Sequence, residues 1–271
     1  MSIKTVAITN QKGGVGKTTT AVNLSAALQR IGKRVMLVDM DHQGDSGKAL
    51  GYKIDELGLT VTDIIIDKTP VSKVMLETRM PGLFLLPANQ DLSAASLAMT
   101  GMTGREFLLQ KALSVVREQF DYIIIDCPPQ LGLLTVNSFV ASDALLLCCQ
   151  MSNLALEGVM DLIKSYNMLK ENMDYSPDVQ KLSILGIVST FYDARNSTIN
   201  TEIMNILKDG FVDRLFETKI RLDLDLNKSQ GVGQTIFEFD EKNPNSYGIE
   251  DYKRLAAEFI ERTSKMEGQN D

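Results

Sequence analysis

Along this chain, short apolar runs alternate with longer stretches in which the apolar positions recur three and four apart. Residues 3–8 form the first run, and Ala21, Leu24, Leu28 and Ile31 mark a helix after it. Residues 34–38, 83–87, 121–126, 144–150 and 183–190 supply further strands, while 61–66, 71–76, 92–100, 105–119, 154–169 and 198–208 read as helices. Tyr252, Leu255, Ala256, Phe259 and Ile260 give a closing helix a core-facing stripe, and a polar tail follows from about residue 264. The unalternating isoleucines at 123–125 suit a strand buried on both faces, as in parallel sheets. Alternation of strand and helix throughout predicts one α/β domain over residues 1–271, a doubly wound, mostly parallel sheet with helices on both faces.

Between the first strand and the first helix stands QKGGVGKTT, residues 11–19. Gly13, Gly14 and Gly16 lack a Cβ, so the backbone around Val15 can curl about an anion with its N–H groups pointing inward. A helix opening at Lys17 adds the positive end of its dipole. In this strand–loop–helix setting Lys17 reaches the β- and γ-phosphates of a nucleoside triphosphate, the Thr18 hydroxyl holds Mg²⁺, and Thr19 continues the cradle. Gln11 stands where the strict phosphate-loop pattern asks for its first glycine. On spacing alone, Lys12 is the solvated charge that a loop lysine usually is.

Carboxylates stand at the ends of two other strands. VDMDHQGD carries Asp39 and Asp41, which share a face if the strand persists that far, and DYIIIDCPP closes with Asp126. In an open parallel sheet, ligands sit beyond the carboxyl ends of the strands. Carboxylates there serve Mg²⁺ and an attacking water, or else close ordinary turns.

Composition narrows the chemistry. The single histidine, His42, leaves no basis for a zinc site or a histidine-based triad. Cys127, Cys148 and Cys149 show no C-x-x-C spacing and read as buried, reduced thiols of a cytoplasmic protein. A start that runs directly into a strand leaves no room for a signal peptide, and the longest apolar run, residues 144–149, is far short of a membrane span. The net charge of −7 argues against a uniformly basic coat, although screening makes local patches decisive for polyanions.

Taken together, NQKGGVGKTTTAVNLSAAL, VMLVDMDHQGDSGKALG, DYIIIDCPPQLGLLTVNSFVASD, ALEG at 155–158 and FYDAR at 191–195 resemble the ParA/Soj group of deviant Walker-type partition ATPases, relatives of MinD and of the nitrogenase iron protein. The resemblance implies a P-loop ATPase using ATP and Mg²⁺. It implies that Lys12 is the signature lysine, reaching across a homodimer to the phosphates on the other subunit. It also makes Asp41 the residue that orients the attacking water, Asp126 the Walker B carboxylate and Asp39 a support for the loop. Non-specific DNA binding in the ATP state and a stimulating ParB-like partner complete the picture, in the cytoplasm and on the nucleoid. The phosphate loop begins so early that the short form of the family, without an N-terminal helix-turn-helix, is expected.

Two departures bear on this. His42 replaces the family's usual proline and reads as a tolerated variant. The segment IRLDLDLNKSQ, residues 220–230, puts Asp225 where the family often has a DNA-contacting arginine, leaving Arg195, Arg221 and Lys228 as DNA-binding candidates amid nearby acidic residues. A ParA-like ATPase that positions a cargo other than DNA is the alternative. A MinD-like membrane regulator would need a basic amphipathic terminal helix, whereas Glu258, Glu261, Glu267 and Asp271 make this one acidic.

Overall fold

Consecutive isoleucines can all be buried only if both faces of their strand are covered, and Ile123, Ile124 and Ile125 are fully buried in the computed structural model, which describes residues 3–241 and 246–269. Their strand belongs to an eight-stranded sheet made of β1 (Thr5–Thr9), β2 (Val35–Asp39), β3 (Leu76–Glu77), β4 (Leu83–Leu86), β5 (Tyr122–Asp126), β6 (Ala144–Gln150), β7 (Ser183–Tyr192) and β8 (Leu215–Arg221). The order is β3-β4-β2-β5-β1-β6-β7-β8. Every pairing is parallel except the short β3 against β4.

Among the described residues there are thirteen α-helices. They are α1 (Lys17–Arg30), α2 (Asp45–Ala49), α3 (Val61–Ile66), α4 (Val71–Val74), α5 (Asp91–Ala98), α6 (Leu108–Ser114), α7 (Leu133–Val140), α8 (Asn153–Asn172), α9 (Pro177–Lys181), α10 (Ser197–Phe211), α11 (Leu224–Gly231), α12 (Ile236–Phe239) and α13 (Tyr247–Gln269). One helix group is built on α1, which packs against α12 and α13; another runs through α3, α6, α7, α9 and α8. Flanked in this way, the sheet has the doubly wound architecture expected of alternating strands and helices.

The strand order determines where a ligand can bind. From β1 the chain first winds outward to β2 and β4, returns to insert β5 beside β1, and then crosses to β6, β7 and β8 on the other side. The winding direction reverses around β1, so the crevice beyond its carboxyl end is the topological switch point. Register brings three strand ends level there, with Asp126 of β5 opposite Ile8 on one side and Asp39 on the other.

Several elements differ from the hydrophobic pattern. Residues 105–119 form no single helix: α6 lies between 3₁₀ turns at Arg105–Phe107 and Arg117–Gln119. Asn137 of α7 interrupts it, accepting from the Leu109 N–H at 3.1 Å and donating to the Arg105 carbonyl at 2.8 Å. The helix expected over 71–76 stops at Val74, because Leu76 and Glu77 leave to pair with β4. At the other end of the chain α13 continues through the polar segment to Gln269, with Thr263 buried and its hydroxyl 3.3 Å from that of Tyr122.

β8 was not apparent from the pattern, and its environment explains why. It is an edge strand, and polar side chains of α13 take the place of a further strand. Glu258 accepts from the Glu217 and Thr218 N–H groups, both at 2.9 Å, while Arg262 donates to the Leu215 carbonyl at 2.6 Å. Charged cover of this kind also blocks edge-to-edge association. Replacing Glu258 with Ala removes the acceptor for two backbone donors and the partner of Arg262. Urea unfolding is expected to show a loss of about 1–3 kcal/mol, with a smaller loss for Glu258→Gln.

Candidate functional site

The glycine loop occupies the switch point, between β1 and α1. Gly14 and Gly16 take φ values of 74° and 85°, a left-handed backbone that other residues adopt only under strain. Around Gly13 and Gly14 there is open space, so the front of the loop is free for an anion, and α1 opens at Lys17 behind Gly16. The back of the loop is held firmly. Val15 is fully buried and its carbonyl accepts from the Thr190 hydroxyl at 2.8 Å. Phe191, beside Gly16, is itself in the left-handed region at φ 52°, an expensive conformation for an aromatic residue.

The two lysines of the loop differ. Lys17 is 6 % exposed and its ammonium donates to the Lys12 carbonyl at 3.1 Å. Lys12 is half-buried, and its ammonium has no carboxylate partner among the described residues. Its backbone is fixed by Asn10, a residue the sequence did not single out: the Asn10 amide donates to the Cys148 carbonyl at 2.6 Å and accepts from the Lys12 N–H at 2.8 Å. Thr18 and Thr19 are half-buried at the start of α1, and the Thr19 hydroxyl accepts from Gln230 of α11 at 2.9 Å.

Next to the loop lie the three aspartates, arranged otherwise than the alternation suggested. β2 ends at Asp39, and the chain turns so that Asp39 and Asp41 do not share a strand face. Asp39 is wholly buried and accepts from the N–H groups of Asp41 at 3.0 Å and Ser46 at 3.1 Å, which makes it a brace for the turn. Asp41 stands at the mouth, its side chain 14 % exposed, with His42 Nδ1 at 3.5 Å. Gly44 closes the turn at φ 63°, where a Cβ would meet the Ala88 carbonyl at 2.6 Å.

Asp126 is buried beside Asp39. Its Oδ2 accepts from the Ser46 hydroxyl at 2.9 Å, whereas its Oδ1 is buried with no hydrogen-bond partner. Burial pushes its pKa up to about 6 despite the Thr18 and Ser46 hydroxyls and the Lys17 ammonium, which favour the charged form. Burial, reinforced by the neighbouring Asp126 charge, also holds Asp39 well above the ordinary carboxylate range. An orphaned carboxylate oxygen next to a threonine hydroxyl is a donor set that suits a hard divalent cation such as Mg²⁺.

The candidate DNA-contacting cations do not form a free patch. Arg221 binds Asp251 at 2.6 Å and Glu250 at 2.6 Å and lies over the Tyr247 ring. Lys228 is paired with Asp225 at 2.7 Å, and Arg195, though 84 % exposed, with Asp193 at 2.8 Å. The three cysteines are free and buried, each pushed up to about 12 by burial, which leaves them unreactive. No helix among the described residues is long and apolar enough to cross a membrane.

A phosphate loop on the central strand of a doubly wound sheet, backed by a carboxylate on the neighbouring strand, defines the P-loop nucleoside triphosphatases. Comparison with known proteins narrows that class. The AAA domain family matches residues 3–180. Sporulation initiation inhibitor protein Soj of Bacillus subtilis is 38 % identical over 255 residues, covering 94 % of this chain and 97 % of Soj. The chromosome partitioning protein ParA of Myxococcus xanthus is 37 % identical over 257 residues, covering 95 % of this chain and 88 % of ParA. Among solved structures, cobyrinic acid a,c-diamide synthase from Mycobacterium smegmatis, with bound ATP analogue and magnesium, superposes with a TM-score of 0.79 at 30 % identity, covering 94 % of this chain and 93 % of that one. The chain belongs to the AAA domain family and, within it, to the ParA/Soj group of P-loop partition ATPases.

The buried aspartates make a pH dependence. Between the ordinary carboxylate pKa of 3.8 and about 6, the folded chain keeps a proton on Asp126 that the unfolded chain has released. Nucleotide-free protein therefore loses stability as pH rises through that interval. Asp126→Asn is expected to flatten this slope and to raise Tm at pH 7–8, measured by thermal unfolding without Mg²⁺ or nucleotide. An unchanged Tm would mean that Asp126 is not charged and strained there.

Proposed function

We propose that this protein is a switch ATPase whose ATP-bound form is a homodimer, with two ATP molecules held between the subunits. The observation that supports this most directly is the contrast between the two loop lysines. Lys17 is folded inward over the cradle, where it can neutralise the β- and γ-phosphates of its own subunit's ATP. Lys12 has an ammonium free of carboxylate partners among the described residues, beside a loop front that is open. A cation supplied by the second subunit to a phosphoryl transition state can raise the rate by about 10³–10⁵. Hydrolysis then becomes a property of the pair.

Within each site, Gly13, Gly14, Val15 and Gly16 wrap the phosphates, and the start of α1 with Thr18 and Thr19 completes the cradle. Thr18, Asp41 and Asp126 would hold Mg²⁺, which supplies positive charge to the phosphate oxygens. The magnesium and ATP analogue bound by the Mycobacterium smegmatis relative support this assignment. Asp41, at the mouth of the site, orients a water for attack on the γ-phosphorus; the bond to the ADP oxygen breaks, leaving ADP and phosphate. Asp39 braces the turn that carries Asp41.

The ATP dimer binds DNA without sequence preference, Arg195 being the most exposed of the three candidate cations, and a ParB-like partner stimulates hydrolysis and resets the switch. The name of the Myxococcus relative, a chromosome partitioning protein, supports partition as the process served. The carboxylate pairing of Arg195, Arg221 and Lys228 favours a second reading, in which the same ATPase positions a cargo other than DNA.

Three measurements test these roles. Lys17→Ala abolishes nucleotide binding; near-normal ATP affinity would overturn the site. Asp41→Ala still binds ATP and accumulates as a dimer by sedimentation, and a monomer would show its role to be different. DNA retention in gel shifts requires ATP and falls steeply with salt, whereas absent or ATP-independent retention moves the cargo from DNA to protein.

A further inference from the structure

The ALEG segment at the start of α8 has no part in holding phosphate, yet it lies against the root of Lys12. At Gly158 an added Cβ would come 2.5 Å from Asn10 Oδ1 and 3.4 Å from Lys12 Cβ, so α8 packs against the loop here with only a hydrogen to spare. Asn10 is fully buried, and its Oδ1 is the acceptor that fixes the Lys12 N–H. Ser165 lies about two helical turns further along, on the same face of α8. Its hydroxyl accepts from Gln11 Nε2 at 2.7 Å and donates to the Asp161 carbonyl at 2.9 Å. Of the two residues preceding Lys12, Gln11 is thus bonded to α8, while Asn10, bonded to the Cys148 carbonyl of β6, packs against the same helix at Gly158.

The rest of the loop is supported elsewhere. Val15 is held by Thr190 of β7, Gly16 lies against Thr190 and Phe191, and Thr19 is bonded to Gln230 of α11. A lysine has a long, flexible side chain, and fixing its backbone root removes much of the disorder that reaching a distant phosphate must otherwise overcome.

We infer that Gly158 and Ser165 of α8 are positioning residues for Lys12, acting through Asn10 and Gln11, so that α8 sets ATP-driven dimerisation and turnover without contributing to ATP binding by the single subunit. This rests on the proposal that Lys12 acts across the dimer. A displacement of α8 would alter hydrolysis while leaving the phosphate cradle loaded, which gives the switch a control point separate from its nucleotide site.

The test compares wild type, Ser165→Ala, Gly158→Ala and Lys12→Ala. For each, the ATP affinity of the dilute monomer is measured with a fluorescent ATP analogue, the ATP-dependent dimer dissociation constant by sedimentation, and kcat at saturating ATP. Ser165→Ala deletes the bond from Gln11 and the bond to the Asp161 carbonyl at a half-buried helix position that alanine suits, so the test stands even if Gly158→Ala is poorly folded. Ser165→Ala is expected to keep monomer ATP affinity within about twofold and to weaken dimerisation and kcat by about fivefold, the scale of one hydrogen bond. Ser165→Thr, which keeps the hydroxyl, is expected to restore them.

If Lys12→Ala loses ATP-driven dimerisation but Ser165→Ala matches wild type, the positioning role is overturned and the reading of Lys12 stands. Loss of monomer ATP affinity in Ser165→Ala in step with kcat also overturns it, since α8 would then support the whole loop. Wild-type dimerisation and turnover by Lys12→Ala would remove the trans lysine and this inference with it.

Discussion

Two fully buried carboxylates, Asp39 and Asp126, stand side by side at the ends of adjacent parallel strands, where neither is comfortably charged. Much of the site is arranged around that conflict. Backbone N–H groups of the following turn converge on Asp39, so that relieving its charge shapes the segment carrying Asp41. Ser46 satisfies one oxygen of Asp126 and leaves the other bare. Free energy withheld in this way from the nucleotide-free fold would become available to a cation and a triphosphate bound there, and occupancy would then be coupled to the shape of the turn. A neutral pair at these positions would be more stable and would have less to gain from nucleotide.

Much of this was legible in the chain because a parallel sheet writes itself in runs without alternation. Residues 123–125 announced a strand buried on both faces, and the glycine loop between a run and a helix announced its ligand. Less visible were elements whose polar residues answer to tertiary partners. β8 reads as half-polar because Glu258, Arg262 and Asp251 of α13 satisfy its edge, and α6 is shortened by a side chain from α7. Among site residues, Asn10 and Ser46 carried no signal of their own. Their roles arise from a carbonyl on β6 and a carboxylate on β5, both distant in sequence. Spacing puts Asp39 and Asp41 on one face only if the strand runs on to Asp41, and the chain instead turns at Asp39, whose side chain captures the following amides.

The same logic separates the parts of the phosphate loop. Its glycines and Lys17 are backed by β7 and α1, and its leading residues by α8 and β6. One segment can therefore serve two tasks, holding a nucleotide within a subunit and presenting a cation outside it. The candidate DNA-binding cations, by contrast, are each bound to a carboxylate, so any attraction they exert on a polyanion competes with an existing partner.

The central claim is that Lys12 of one subunit completes the site of the other. Mixing Lys12→Ala protein with Asp41→Ala protein tests it directly, because each is expected to be inactive alone. In the mixed dimer, the Lys12→Ala subunit keeps Asp41 and receives Lys12 from its partner, so one complete site forms and ATP turnover returns. If Lys12 instead acts within its own subunit, neither site is complete, and a mixed dimer verified by cross-linking that fails to hydrolyse ATP would contradict the account.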